Sequence, residues 1–356
     1  MKGMELARAY YEQYGENMIS SEFYEFSDVI AVGLCGSGSE CYGYDDETST
    51  DHDFEPGFCM FIPDEDVVDS RSEFLLSRAY AKLPSEFLGY KRQALSPVGG
   101  NRHGVFRMSQ WWSNALGLPA GRVKEYIAAV TGGLAAGQEA KAAGQEANAA
   151  GQEANAAGQA QSQLLTNEEF LHIPEYTLAE ATNGEIFIDE LGAFSQIRKS
   201  LRHYPDDVRR KKLAGYLLLM EQSGEYNYER CLMHGESGAA QLAISKFVDA
   251  AMHVVFLLND RYMPYYKWSF RAMRGLSMLA SLSEKFEYLL TTPNDGAFAE
   301  KKIETIASVQ RDVIAVLKLR GFTDVDSDNM EQLAYAVNDT VKDGSLRNAH
   351  ILEGCD

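Results

Sequence analysis

The chain has 356 residues, enough for two domains with sizeable cores, and its 45% hydrophobic and 11% aromatic content is that of a folded globular protein. Its 33 basic and 52 acidic residues give a formal charge of −19; such a surface repels polyanions and disfavours nucleic acid as a tightly held partner, whereas a triphosphate stays admissible because cations neutralise it locally. The five cysteines, Cys35, Cys41, Cys59, Cys231 and Cys355, have no C-x-x-C or H-x-x-x-H company, so they read as reduced thiols and argue against a zinc centre.

The N-terminal segment Met1-Lys2-Gly3-Met4-Glu5 has no apolar signal core, and no run approaches the roughly twenty apolar residues of a spanning helix. The expectation is a cytoplasmic protein without membrane contact. Residues 4–18 carry Leu6, Ala9, Tyr10, Tyr14 and Met18 near helical spacing and predict a helix, with a second, short one over 20–24. Strands are predicted over 29–35 and 58–62. Glu65 to Leu83 is charged and helical, with Phe74, Leu75 and Leu76 expected inward. A third strand over 103–108 and a helix opening at Trp111-Trp112 complete a small α/β unit at about 1–120.

Gly33-Leu34-Cys35-Gly36-Ser37-Gly38-Ser39-Glu40 follows the first strand, and Asp51-His52-Asp53 comes twelve residues later. Gly36, Ser37, Gly38 and Ser39 form a small-residue turn whose backbone N–H groups and hydroxyls can approach phosphate oxygens. Asp51 and Asp53, on a segment expected to run extended into Phe58, would project to one side because strand side chains alternate. Two such carboxylates suit Mg2+ or Mn2+ bridging to phosphates. His52 faces the other way and reads as a structural partner. An acidic solvated hairpin over 45–55 is the alternative.

From Ala135 the chain repeats the unit Ala-Ala-Gly-Gln-Glu-Ala-Lys/Asn to about Ser162. Alanine is its only apolar side chain, and each glycine weakens helix by about 1 kcal/mol, so residues 121–165 read as an exposed low-complexity insertion, at most a frayed helix. Beyond 166 the pattern is helical, with short helices at 175–182 and 196–202 around an apolar strand, 185–189, and amphipathic stretches at 206–223, 226–234, 237–260, 268–290, 298–319 and 327–342. A helical-bundle domain over 166–356 is expected. The fold class is therefore α+β, a small mixed sheet with helices followed by a C-terminal helical bundle.

The order strand, Gly-Ser turn, Asp-x-Asp, strand resembles the DNA polymerase β-like nucleotidyltransferase superfamily. More narrowly, Gly33-x-x-Gly36-Ser37-Gly38-Ser39-Glu40-Cys41-x-Gly43-x-Asp45-Asp46-Glu47-x-Ser49-x-Asp51-His52-Asp53 is similar to a bacterial family catalogued as domain of unknown function 4037. Asn183-Gly184-Glu185-Ile186-Phe187-x-Asp189, Tyr204-Pro205, Tyr226-Asn227-Tyr228-x-Arg230-Cys231, His234-Gly235-Glu236 and Leu257 to Trp268 resemble it too. The resemblance implies a nucleotidyltransferase fold, metal dependence and nucleotide use, without naming a substrate. Enzymes of the superfamily use a third carboxylate on a neighbouring strand; here the corresponding strand carries Val105-Phe106-Arg107. Asp189, or Glu185, on the later strand is the candidate replacement, unless the metal alone activates the acceptor or the chain binds without turnover.

Lys267, among the aromatics of Tyr262-Met263-Pro264-Tyr265-Tyr266-Lys267-Trp268, and Arg230, sharing a helix face with His234, are candidate phosphate contacts. A packed helix corner and an ion pair with Glu236 are the respective alternatives. The expected activity is transfer of a nucleoside monophosphate, AMP from ATP, to a hydroxyl of a small-molecule or protein acceptor. An aminoglycoside-like cation would suit the acidic balance. The alternative is a catalytically weakened nucleotide sensor or interaction protein.

Overall fold

The structure, a computed structural model, describes residues 1–51, 54–92, 102–142 and 164–355, with side chains throughout except at residues 50, 51 and 134–142. His52, Asp53, the Asp51 side chain and the heptads beyond Ala142 lie outside the described residues. The fold is mixed α+β, and the chain divides into two compact units.

The first unit comprises Met1–Leu164 and Thr177–Arg202. Its four-stranded sheet has the order β5-β2-β1-β6. Strand β1 (Ala31–Leu34) pairs antiparallel with β2 (Cys59–Ile62), Gly33 opposite Cys59. A small hairpin, β3 (Glu86–Phe87) with β4 (Tyr90–Lys91), stands apart from it. β5 (Gly104–Arg107) runs parallel to β2, Gly104 opposite Cys59, and β6 (Glu185–Ile188) antiparallel to β1, Glu185 opposite Leu34 and Ile188 opposite Val32.

Both central strands are wholly buried, which is why they read as continuous apolar runs rather than as alternation. Period-two geometry then divides their side chains between two helical layers. Val32, Phe58, Met60 and Ile62 pack with Tyr10, Tyr11, Met18 and Ile19 of the N-terminal helices and with Leu76 and Tyr80 of α3 (Ser70–Lys82). Phe61 points oppositely, stacked on Phe194 of α8 (Ala193–Ser200) at 4.1 Å and edge-on to Trp111 of α4 (Met108–Leu116) at 5.2 Å.

Several expectations are corrected. The N-terminal helix is α1 (Gly3–Tyr10), a π-helical turn over Tyr11–Gly15, and α2 (Glu16–Glu22); a Cβ on Gly15 would meet Phe58 at 2.6 Å, so glycine lets the helix lie on the sheet. In α3 only Leu76 and Tyr80, four residues apart, share the inward stripe, and Phe74 and Leu75 are exposed. Residues 177–202 belong with the first unit rather than with a helical domain beginning at 166, because β6 completes the sheet. The first unit also continues past residue 120 into α5 (Ala120–Ala142), where Val123 is fully buried.

The second unit comprises Leu165–Tyr176 and His203–Asp356. It holds α6 (Asn167–His172), the first residues of α7 (Glu175–Thr182), α9 (Asp206–Met220), α10 (Tyr228–Met233), α11 (Ser237–Leu258), α12 (Tyr266–Met273), α13 (Leu282–Thr291), α14 (Gly296–Leu319), α15 (Met330–Asp339) and α16 (Gly344–Asn348). The helix expected over 268–290 is broken into α12 and α13. Contrary to the expectation that no run is long enough, α11 has the length and composition to cross a membrane, but 72% of its most apolar window is buried. It is the core helix of this unit.

Candidate functional site

Strand directions determine which loops meet. At the end of the sheet where β1 finishes, β2, β5 and β6 all begin. The Gly36-Ser37 turn, the segment entering β2, Arg102-His103 and Asn183-Gly184 therefore come together from four separate stretches of chain.

Gly36 has φ +127°, a conformation that favours glycine, and nothing lies within 4 Å of where its Cβ would be. Its peptide is held on both sides by one side chain: Gly36 N–H donates to Asn183 Oδ1 at 2.9 Å, and Asn183 Nδ2 donates to the Gly36 carbonyl at 2.7 Å. That amide does for the turn what a ladder partner does inside a sheet. Gly184, at φ +68°, has no room for a side chain, since a Cβ would meet the Leu34 carbonyl oxygen at 2.1 Å. Arg198 of α8 donates to the carbonyls of Thr182 and Asn183 at 2.9 and 2.5 Å. Burial lowers its pKa.

Gly36 and Ser37 line a cavity of about 280 Å³ together with Leu34, Cys35, Arg102, Phe106, Arg107, Gln110, Trp111 and Asn114. Gly38 and Ser39 do not line it. Gly38 instead makes room for an ion pair between Arg102 and the buried Glu40, whose atoms a Cβ would overlap, and Ser39 opens a 3-10 turn ending at Tyr42. Of the four predicted turn residues, two face the cavity and two do not. The Cys35 thiol is pushed up to about 12 by burial, against the pull of Arg198. Cys41 and Cys59 are also raised by burial. Burial thus favours the neutral thiol at all three positions.

The carboxylates fall differently. Asp51 ends a 3-10 turn, Thr48–Asp51, and β2 begins only at Cys59, so Asp51 is not on a strand running into Phe58 as expected. Asp189 follows the far end of β6, where its carboxylate accepts from Gly192 N–H at 3.1 Å and Ser195 N–H at 2.8 Å. Because β6 is antiparallel to β1, this places Asp189 away from Gly36 by the length of the strand, about 13 Å at 3.3 Å per residue. It supplies no third carboxylate to the turn. Glu185 stands at the right end but is exposed and paired with Arg8. On β5, Arg107 takes the outer position, bound to Glu73 at 2.7 Å and to the Pro63 carbonyl at 2.7 Å. Among the described residues, no three His, Cys, Asp or Glu side chains are grouped to hold a metal.

Arg230 and Lys267 belong to the second unit, both exposed. Each lies over an aromatic ring, Arg230 on Tyr226 and Lys267 on Trp268, both at 5.0 Å. The main polar feature inside this unit was missed by sequence reasoning. Buried Glu175 sits with Oε1 3.0 Å from His253 Nδ1 of α11, and its Oε2 accepts from Met263 N–H at 3.1 Å. The Tyr216 ring stacks flat on the imidazole at 4.2 Å. Burial opposes charge on both groups, but each outweighs it for the other: the His253 pKa is raised and the Glu175 pKa lowered. Both shifts favour the charged pair, which is sealed from solvent.

Arg102 and Asn183 were also missed as site residues. The signal for both is positional: each lies just before a strand that starts where β1 ends.

Residues 170–269 match the profile of a family described as a domain of unknown function (DUF4037). No curated protein matches the chain. No solved structure matches it either. The matched stretch takes in β6, Asn183, Glu175 and His253, and the chain is similar to that family over these residues, which span parts of both units.

Proposed function

We propose that the first unit binds a nucleoside triphosphate at the Gly36-Ser37 turn and, with a divalent cation on Asp51 and Asp53, transfers its nucleoside monophosphate to an acceptor hydroxyl. The observation that carries this is the open glycine turn at the rim of a cavity, clamped by Asn183 and flanked by Arg102. Ser37 offers backbone and hydroxyl donors to phosphate oxygens, the bare Gly36 beside it leaves room for them to approach, and Arg102, oriented by Glu40, adds positive charge there. The turn is pre-formed, so phosphate binding costs little reorganisation.

Carboxylate oxygens from Asp51 and Asp53 are the hard donors that Mg2+ or Mn2+ prefers. When bound, such a cation supplies charge neutralisation and Lewis acidity at the phosphates. The unit then has the character of a nucleotidyltransferase-like fold, with AMP transfer from ATP as the form of the reaction and a small molecule or protein as acceptor. The acidic surface favours such acceptors over nucleic acid, and the five free cysteines favour the cytoplasm.

A second reading, nucleotide binding without turnover, is favoured by β5, where Arg107 is engaged with Glu73 and no carboxylate stands. Labelled triphosphates with Mg2+ separate the two. Pyrophosphate release that disappears in Asp51→Ala and Asp53→Ala supports transfer. Saturable binding with no release in the wild type supports the second reading, and absence of binding sinks both.

A further inference from the structure

The cavity at the Gly36-Ser37 turn adjoins a second chamber of about 260 Å³ in the same unit; Gly36, Trp111 and Asn114 line both. Together they fall within the roughly 300–1,000 Å³ of small-molecule sites. Their linings differ in chemistry. The first has two guanidiniums, Arg102 and Arg107, each paired with a carboxylate that does not line it. The second has no cation. It is formed by Trp111, Asn114 and Ala115 of α4 on one side and Thr177, Glu180 and Ala181 of α7 on the other.

An anion is therefore best placed in the first chamber, and a flat uncharged group in the second. Trp111 is held by edge-on contacts to Phe61 at 5.2 Å and Trp112 at 4.8 Å. It is a rigid aromatic wall of the kind on which bases stack, with Ala115 and Ala181 too small to obstruct a planar ring. Polar groups stand at the chamber's edge. Asn114 accepts from Gln110 Nε2 at 2.8 Å through its Oδ1, which turns the Asn114 amide N–H groups to other partners. The Glu180 carboxylate, once ionised, is acceptor-only and calls for a donor.

We propose that the second chamber is the nucleobase subsite of the triphosphate site, taking a base with an exocyclic amino group that stacks on Trp111 and donates to Glu180. Adenine, guanine and cytosine carry such a group; uracil presents a carbonyl there, which faces a carboxylate without a shared proton. The purines gain more from the aromatic wall, which agrees with ATP as the nucleotide. This rests on the triphosphate reading above.

Equilibrium binding of ATP, UTP and inorganic tripolyphosphate, each with Mg2+, tests it. ATP should bind the wild type about tenfold or more tighter than UTP and than tripolyphosphate, as base stacking and a donor–carboxylate pair contribute. Glu180→Gln should bring ATP and UTP to within about threefold of each other, because a side-chain amide can both donate and accept, and should leave tripolyphosphate unchanged. Trp111→Leu should lower ATP affinity towards that of tripolyphosphate; since Trp111 also packs on Phe61 and Phe194, the Glu180 variant, on a partly exposed position, carries the test if that protein does not fold. If ATP, UTP and tripolyphosphate bind alike in wild type and Glu180→Gln, the base subsite is overturned and the phosphate site stands. If none of them binds, the triphosphate reading itself has failed.

Discussion

One polar cluster from each unit makes an instructive pair, because they differ in what their contacts leave over. Around Gly36, the polar groups of Asn183, Arg198 and Glu40 hold backbone and an arginine in place, and the held turn opens onto empty space. Around His253 the groups pair with one another: Glu175 lies 3.0 Å from the imidazole and accepts a backbone N–H, Tyr216 covers the ring, and Lys212 donates to the Gly354 carbonyl at 2.5 Å. Both lie in or beside the stretch that matches a family profile. A buried ionic cluster that seals itself stabilises a fold; one that ends at an open glycine can take a ligand.

Removing a member of each cluster should therefore give different signatures. Glu175→Ala leaves a buried imidazole and a backbone N–H without their acceptor, and breaking a buried pair in this way costs about 3–5 kcal/mol. Chemical denaturation should register that loss, with tripolyphosphate affinity of the folded protein unchanged. A change in that affinity at full stability would mean the cluster is not merely structural.

Asn183→Leu should do the reverse. It strips the Gly36 N–H and carbonyl of their partners, a cost of about 1–3 kcal/mol for each group left buried and unpaired, and frees the turn. Its main readout is binding: tripolyphosphate affinity should drop by about tenfold or more, the equivalent of about 1.4 kcal/mol. Unaltered affinity in a folded Asn183→Leu protein would show that the clamp does not shape the phosphate site.

The pH dependence of the second unit follows from the directions in which its two buried groups are displaced. The His253 pKa is raised above the ordinary 6.5, so its contribution to stability is complete below that value and is lost as pH rises through the raised one. The Glu175 pKa is lowered below 4.5, so its contribution is present above 4.5 and lost as pH falls through the lowered value. A tenfold change in proton affinity on folding is worth about 1.4 kcal/mol. The melting temperature should thus plateau between these limits and decline on the alkaline side, and His253→Gln should remove that alkaline decline. A decline of equal size in His253→Gln would assign it to other groups.

What was readable beforehand follows the same division. The strands at 31–34, 59–62 and 104–107 were legible because apolar runs are local properties. The Gly36-Ser37 turn was legible for the same reason, whereas the division into units was not, because Thr177–Arg202 joins the first unit only once β6 pairs with β1. Arg102 and Asn183 were not, because their role exists only once a parallel β5 and an antiparallel β6 bring their starting ends to the end of β1. Asp189 failed for the same reason in reverse: it follows the apolar strand β6 directly, and strand direction carries it to the other end. Glu175 and His253 are separated by 78 positions and carry no periodic signal; their pairing is a consequence of helix packing alone.

Arg230 and Lys267 give the smallest expected effect and sharpen the comparison at its edge. Residue type made them candidate phosphate contacts, yet both are exposed and stacked over Tyr226 and Trp268 rather than clamped by hydrogen bonds. An exposed cation–π contact is worth about 0.5–1 kcal/mol, and a long side chain held only by a ring keeps much of its rotamer freedom. Arg230→Ala and Lys267→Ala should each change stability by no more than that and leave the affinity for ATP with Mg2+ within about twofold, since no second group fixes either cation for an anion. A tenfold loss of affinity in either variant would place that cation at the triphosphate, and would mean that a ligand-contacting residue can lie outside the open glycine site after all.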